Sequence, residues 1–78
     1  MGIYALRCGY WVRRLREERG QTQAQLSERA SVSLSVLKTI ESGRGNPRLD
    51  TLVSLAEALG TEPLMLLRAE DSPGATSH

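Results

Sequence analysis

Two helix-start signals stand eleven residues apart, at Thr22 and Ser33, and they constrain this chain more than any other feature. Thr22 with Gln25 three residues later is a capping-box pattern, in which a side-chain oxygen and an amide each satisfy an orphan backbone donor. A helix is predicted to begin there. Ala24, Leu26, Ser27 and Ala30 give it a small, mostly apolar face, which ends at Ser31 and Val32, where Ser33 offers a second N-cap hydroxyl. Val32 and Leu37 flank that cap at the spacing of a hydrophobic staple, which sets the angle of entry into the next helix. Thr22 to Gly43 thus reads as two short helices around a tight turn.

On the second helix, a step of about 100° per residue groups Val36, Leu37 and Ile40 on the core side. Leu34, Ser35, Lys38, Thr39 and Ser42 face outward. That outward set holds short polar groups, one cation and one apolar side chain, without the Glu/Lys ladder of a solvated helix face. Such a composition suits a surface that touches something.

With 78 residues the chain is one small domain, and its few aromatic and β-branched residues nowhere alternate as strands require. An all-α bundle of five helices is predicted. Residues 1–60 carry nine cations against six acids, and the remainder one against three, so a mildly basic body ends in a mildly acidic tail. This is compatible with phosphate contact. Cys8 is the only cysteine, which excludes an internal disulfide, and its phase with Val12 and Leu15 predicts a buried thiol. No apolar run approaches a membrane span and no export signal is present, so a cytoplasmic protein is expected. No metal or cofactor is expected, and no enzyme: His78 has no partner ligand or base, and no glycine-rich phosphate loop or acid cluster is present.

Ala5, Cys8, Val12 and Leu15 form the stripe of a first helix that ends before Gly20, with Gly9 weakening the prediction that it runs unbroken back to Ile3. Tyr4 and Trp11 lie to one side of the stripe. Both read as core edge, but an exposed indole on a small polar domain also suits a subunit contact, and Trp11 is assigned to a dimer interface on that ground. Arg13 or Arg14 can reach a phosphate or simply stay solvated. Arg44 to Arg48 reads as a loop able to supply phosphate contacts through Arg44, Asn46 and Arg48. Leu49, Leu52, Val53, Ala56 and Leu59 make a fourth stripe stopped by Gly60, and Pro63 opens a fifth helix. Four consecutive apolar residues follow, Leu64 to Leu67, too many for one helix of a small bundle to bury. Residues 1–68 are expected to form the domain and 69–78 a disordered tail.

The order Gln23, Leu26, Val32-Ser33, Ile40-Glu41, Gly43, Asn46-Pro47, Leu52, Leu59-Gly60 resembles the helix-turn-helix of the phage repressor and Cro-type (Xre-like) DNA-binding family, from about Val12 to Leu67. The resemblance implies a lambda-repressor-like fold, and a regulator, repressor or autoregulator, that binds a palindromic DNA operator as a homodimer with its recognition helix in the major groove. It implies base reading by Leu34, Ser35, Lys38 and Thr39. Phosphate contacts fall to Gln23, Ser33 and Ser42 beside Arg13, Arg44, Asn46 and Arg48. It implies a structural ion pair between Arg16 and Glu41, and it leaves Leu64 and Met65, where polar residues are usual, for the dimer interface. The chain departs from the family pattern at Ser31, where glycine is usual, at Arg48, where a capping Ser or Thr is usual, and at Leu34, where glutamine reads adenine in some members. An antitoxin, clamping a protein partner and binding DNA secondarily, is the alternative from another functional class.

Overall fold

The computed structural model describes residues 2–69, which form α1 (Ile3–Glu18), α2 (Gln23–Ala30), α3 (Leu34–Glu41), α4 (Leu49–Ala58) and a 3-10 helix (Pro63–Leu67). The fold class is all-α, as expected, but the fifth element is not an α-helix. Pro63 suits its first turn, and five residues are too few to sustain an α-helix. The chain leaves extended at Arg68. The expected tail begins at Ala69, an exposed residue outside any helix, and its remaining residues 70–78 lie outside the described residues.

Both predicted caps form. The Gln25 N–H donates to Thr22 Oγ1 at 3.0 Å while the Thr22 N–H donates to Gln25 Oε1 at 2.8 Å, a reciprocal capping box. The Val36 N–H donates to Ser33 Oγ at 3.1 Å and starts α3. Between them, Ser31 adopts φ 56° and ψ 40°, the left-handed conformation that glycine takes at lower cost. Its N–H reaches the Glu28 carbonyl and the Val32 N–H reaches the Ser27 carbonyl, a Schellman closure that turns the chain without glycine. Ser27 Oγ donates to the Ala24 carbonyl at 2.9 Å, so its hydroxyl is satisfied within its own helix.

The core joins Cys8, Trp11 and Val12 of α1 to Leu26, Leu37, Ile40, Leu52, Leu55, Ala56, Leu59 and Leu66. Burial pushes the Cys8 thiol up to about 12, which keeps it protonated and unreactive near neutral pH. Three sequence expectations are corrected here. Trp11 is only 4% exposed and is a core residue, not a subunit contact. Its indole N–H donates to the Arg68 carbonyl at 3.0 Å, and the Arg14 and Arg68 guanidinium carbons lie 5.3 and 4.8 Å from its ring centroid. The indole thus fastens the end of the 3-10 helix to α1. Tyr4 is exposed instead of lying at the core edge, and on α4 Leu49 is exposed while Leu55, which the predicted stripe omitted, is fully buried.

Gly9 does not interrupt α1, which runs continuously from Ile3. A Cβ there would fall 2.4 Å from the Ile40 carbonyl oxygen and 3.0 Å from the Gly43 nitrogen, so the missing side chain lets α1 lie directly on the end of α3. Farther along α1, Arg16 grips the same end. Its Nε and Nη2 donate to Glu41 Oε2 and Oε1 at 2.7 and 3.0 Å, and its Nη1 donates to the Gln21 carbonyl at 2.7 Å. The Glu41 side chain is 4% exposed and that of Arg16 12%, so this is a bidentate pair largely removed from water. The hydrogen bond to Glu41 holds the Arg16 guanidinium further above its usual range.

Two outcomes follow from this α1–α3 contact. Helix propensity alone makes Gly9→Ala stabilising by about 1 kcal/mol, whereas the close approach makes it destabilising by about 1 to 3 kcal/mol; urea unfolding distinguishes the two by sign. Glu41→Ala removes the bidentate partner of the part-buried Arg16, which keeps its bond to the Gln21 carbonyl, and is expected to lower stability by about 1.5 to 3 kcal/mol in the same assay.

Candidate nucleic-acid interface

α1 meets α3 at its C-terminal end, against Ile40, Glu41 and Gly43, and one face of α3 stays open to solvent along its length. Leu37 and Ile40 point into the core, while Leu34, Ser35, Lys38 and Thr39 are exposed, as the helical phase predicted. Val36 departs from that prediction. It is 44% exposed, more than the 37% of Leu34, although it lies in phase with Ile40. Helical phase gives a direction and cannot say how closely a neighbour stands there; at Val36 the facing loop leaves an open cleft.

The α3 ridge has a cleft along each flank, and most of the predicted phosphate contacts fall in one or the other. On one side Arg13, Gln23, Lys38 and Ser42 share a groove with Arg16 and Glu41. On the other, Ser35, Val36, Thr39 and Ile40 face the loop residues Arg44, Gly45, Asn46, Pro47 and Arg48, with Thr51 behind them. α1 and the start of α2 on one side, and the loop that directly follows α3 on the other, therefore flank one exposed helix face. Ser33 and Leu34 line neither cleft and lie at the tip.

Local bonding limits what several of these side chains can offer. Thr39 Oγ1 donates to the Ser35 carbonyl at 3.0 Å, and Ser42 Oγ donates to the Thr39 carbonyl at 2.6 Å. Each hydroxyl proton is held by the helix, leaving oxygen lone pairs outward. Gln23 Nε2 donates to Glu41 Oε1 at 3.1 Å, so its amide is oriented by the buried ion pair. Arg13 bonds Glu17 one turn away at 3.3 Å, and Arg48 lies 3.8 Å from Asp50; both pairs are exposed and exchange readily for another anion. Arg48 gives α4 no side-chain cap, in keeping with its departure from Ser or Thr.

Among the described residues no group of three or more His, Cys, Asp or Glu side chains is arranged to hold a metal ion, and no helix is long and apolar enough to cross a membrane. In the 3-10 helix, which packs on α1 and α4, Leu64 is 75% exposed and Met65 half-buried, whereas Leu66 is buried and Leu67 packs against the core.

Comparison with known proteins agrees with this arrangement. A family model described as a helix-turn-helix domain matches residues 9–69. The chain is 46% identical over 54 residues to an immunity repressor protein of Bacillus phage phi105, matching 69% of this chain but only 38% of that repressor. An uncharacterized HTH-type transcriptional regulator, y4dJ, of Sinorhizobium fredii is 41% identical over 58 residues, covering 74% of this chain and 75% of the relative. Among solved structures, the restriction-modification controller protein C.AhdI from Aeromonas hydrophila superposes with a TM-score of 0.75 at 31% identity, over 80% of this chain and 94% of that one. The capped α2–α3 pair, the family match across most of the described residues and these relatives together establish that the chain belongs to the Xre-like, phage-repressor type of helix-turn-helix family.

Proposed function

We propose that the protein is a transcriptional regulator, a repressor or autoregulator, that binds a palindromic operator in double-stranded DNA as a homodimer. The observation that carries this reading is the α3 ridge with cation-bearing clefts on both flanks, which matches a helix lying in the major groove between two phosphate backbones. Ser35 and Lys38 reach base edges by hydrogen bonding, Lys38 toward guanine O6 and N7 or a phosphate. Thr39 reads through its methyl group and oxygen lone pairs, since its proton is already bonded. Leu34 makes apolar contact at the tip. Arg44, Asn46 and Arg48 hold the backbone on one flank, Arg13, Gln23 and Ser42 on the other, with Ser33 at the helix start.

Leu64 and Met65 form the contact between subunits. The controller protein and the phage repressor to which the chain is similar support a regulatory role, and the exposed Leu64 supports association through the 3-10 helix. A two-fold dimer places its recognition helices in successive major grooves, so half-sites are expected about 10 bp apart.

Selection of bound sites from random duplex DNA tests binding, symmetry and spacing together; recovery of no common sequence would refute operator recognition. With a selected site, Ser35→Ala is expected to lose about 1 kcal/mol there and little on unrelated DNA, whereas Arg44→Ala weakens all sequences alike and reduces the salt slope by about one. Fluorescence anisotropy at several salt concentrations separates these effects. Sedimentation velocity of Leu64→Glu, Met65→Lys is expected to show monomer, and a variant that stays dimeric would rule out this interface.

A further inference from the structure

The exposure of Val36 is unexplained by the base contacts assigned above. A β-branched side chain is stiff about its first torsion, and this one is 44% exposed in the first turn of a helix whose other exposed positions are Leu34, Ser35, Lys38 and Thr39. Beside it, the methyl group of Thr39 is directed away from α3 and toward the loop. Its hydroxyl is turned back to the Ser35 carbonyl at 3.0 Å, and a Cβ on Gly45 would come within 3.3 Å of Thr39 Cγ2. Val36, the Thr39 methyl, Ile40 and Pro47 therefore give the cleft between α3 and the loop an apolar lining. Arg44 and Arg48 also line this cleft, and among the described residues no carboxylate does.

An apolar seat bordered by arginines is complementary to one feature of a duplex edge: a methyl group on a base beside its own strand's phosphates. In the major groove, thymine displays such a methyl at C5, and 5-methylcytosine displays the same group. Val36 and the Thr39 methyl offer no donor or acceptor, so what these two groups add to the cleft is apolar contact alone. We infer that Val36 and the Thr39 methyl form a seat for the 5-methyl group of a pyrimidine, which makes Val36 a specificity-determining residue. This rests on the DNA-binding reading and adds to it a chemical preference at one base position, carried by Val36 in addition to the apolar contact of Leu34.

The test uses the operator recovered by site selection, with each thymine replaced in turn by deoxyuridine, which removes only the methyl group. Wild-type protein is expected to bind about fourfold more weakly at one half-site position, the effect of one methyl group taken from water. Val36→Ala, a change at an exposed helical position that should leave folding intact, is expected to bind thymine and deoxyuridine equally at that position and to keep any methyl dependence elsewhere. Replacing the same base pair with C·G and then with 5-methyl-C·G identifies the source. Restored affinity on methylation means that the methyl group suffices, and no restoration means that thymine itself is the ligand. A methyl effect that persists in Val36→Ala, or an operator indifferent to deoxyuridine at every position, would overturn the inference while leaving operator binding intact. Failure to select any operator would overturn both.

Discussion

The contact of α1 with the end of α3 is the constraint on which the remaining geometry depends. At Gly9 the two backbones meet with no room for a Cβ, and at Arg16 a bidentate pair holds Glu41 in a nearly dry site. A buried pair of this kind adds little net stability, because its attraction is offset by desolvation. What it fixes is orientation. Glu41 also accepts from Gln23, so α1, the start of α2 and the end of α3 converge on one carboxylate. With its C-terminal end held and Leu37 and Ile40 in the core, α3 presents the face that carries Leu34, Ser35, Lys38 and Thr39.

That projection brings the surface chemistry together. The reading side chains lie along an exposed ridge, and the cations that would hold a polyanion lie to either side, Arg13 on α1 and Arg44 and Arg48 in the loop that follows α3. The protein's net charge of +1 is consequently a poor guide to what it binds. Phosphate attraction depends on where the arginines stand relative to the helix, and here they stand beside it. The weak surface pairs of Arg13 and Arg48 do not oppose this role, since exposed ion pairs are worth little and exchange partners freely.

What could be read from the chain order was whatever depends on neighbours within four residues. The capping box at Thr22, the cap at Ser33 and the apolar stripe of α1 are local, and each formed as its spacing predicted, while at Ser31 the serine takes the left-handed conformation usual for the family's glycine. The Arg16–Glu41 pair was reached through family likeness, because 25 residues separate its partners. Three of the failures concern which neighbour stands beside a side chain. Val36 shares the phase of Ile40 but lies beyond the cover of α1, Leu49 begins the α4 stripe yet lies beyond the core, and Trp11 found the Arg68 carbonyl through a chain reversal that periodicity does not encode. Pro63 to Leu67 read as helical from composition and became a 3-10 turn, too short for an α-helix before the chain extends at Arg68.

The most direct measurement is the change in backbone amide and indole NMR shifts when the protein is titrated with its selected duplex. Shifts confined to Ser33–Thr39, Arg44–Arg48, Arg13 and Gln23, with the buried Trp11 indole undisturbed, are what a groove-reading α3 predicts. Shifts concentrated around Leu49 and Leu64 with α3 unchanged would mean that the ridge is not the surface that meets DNA.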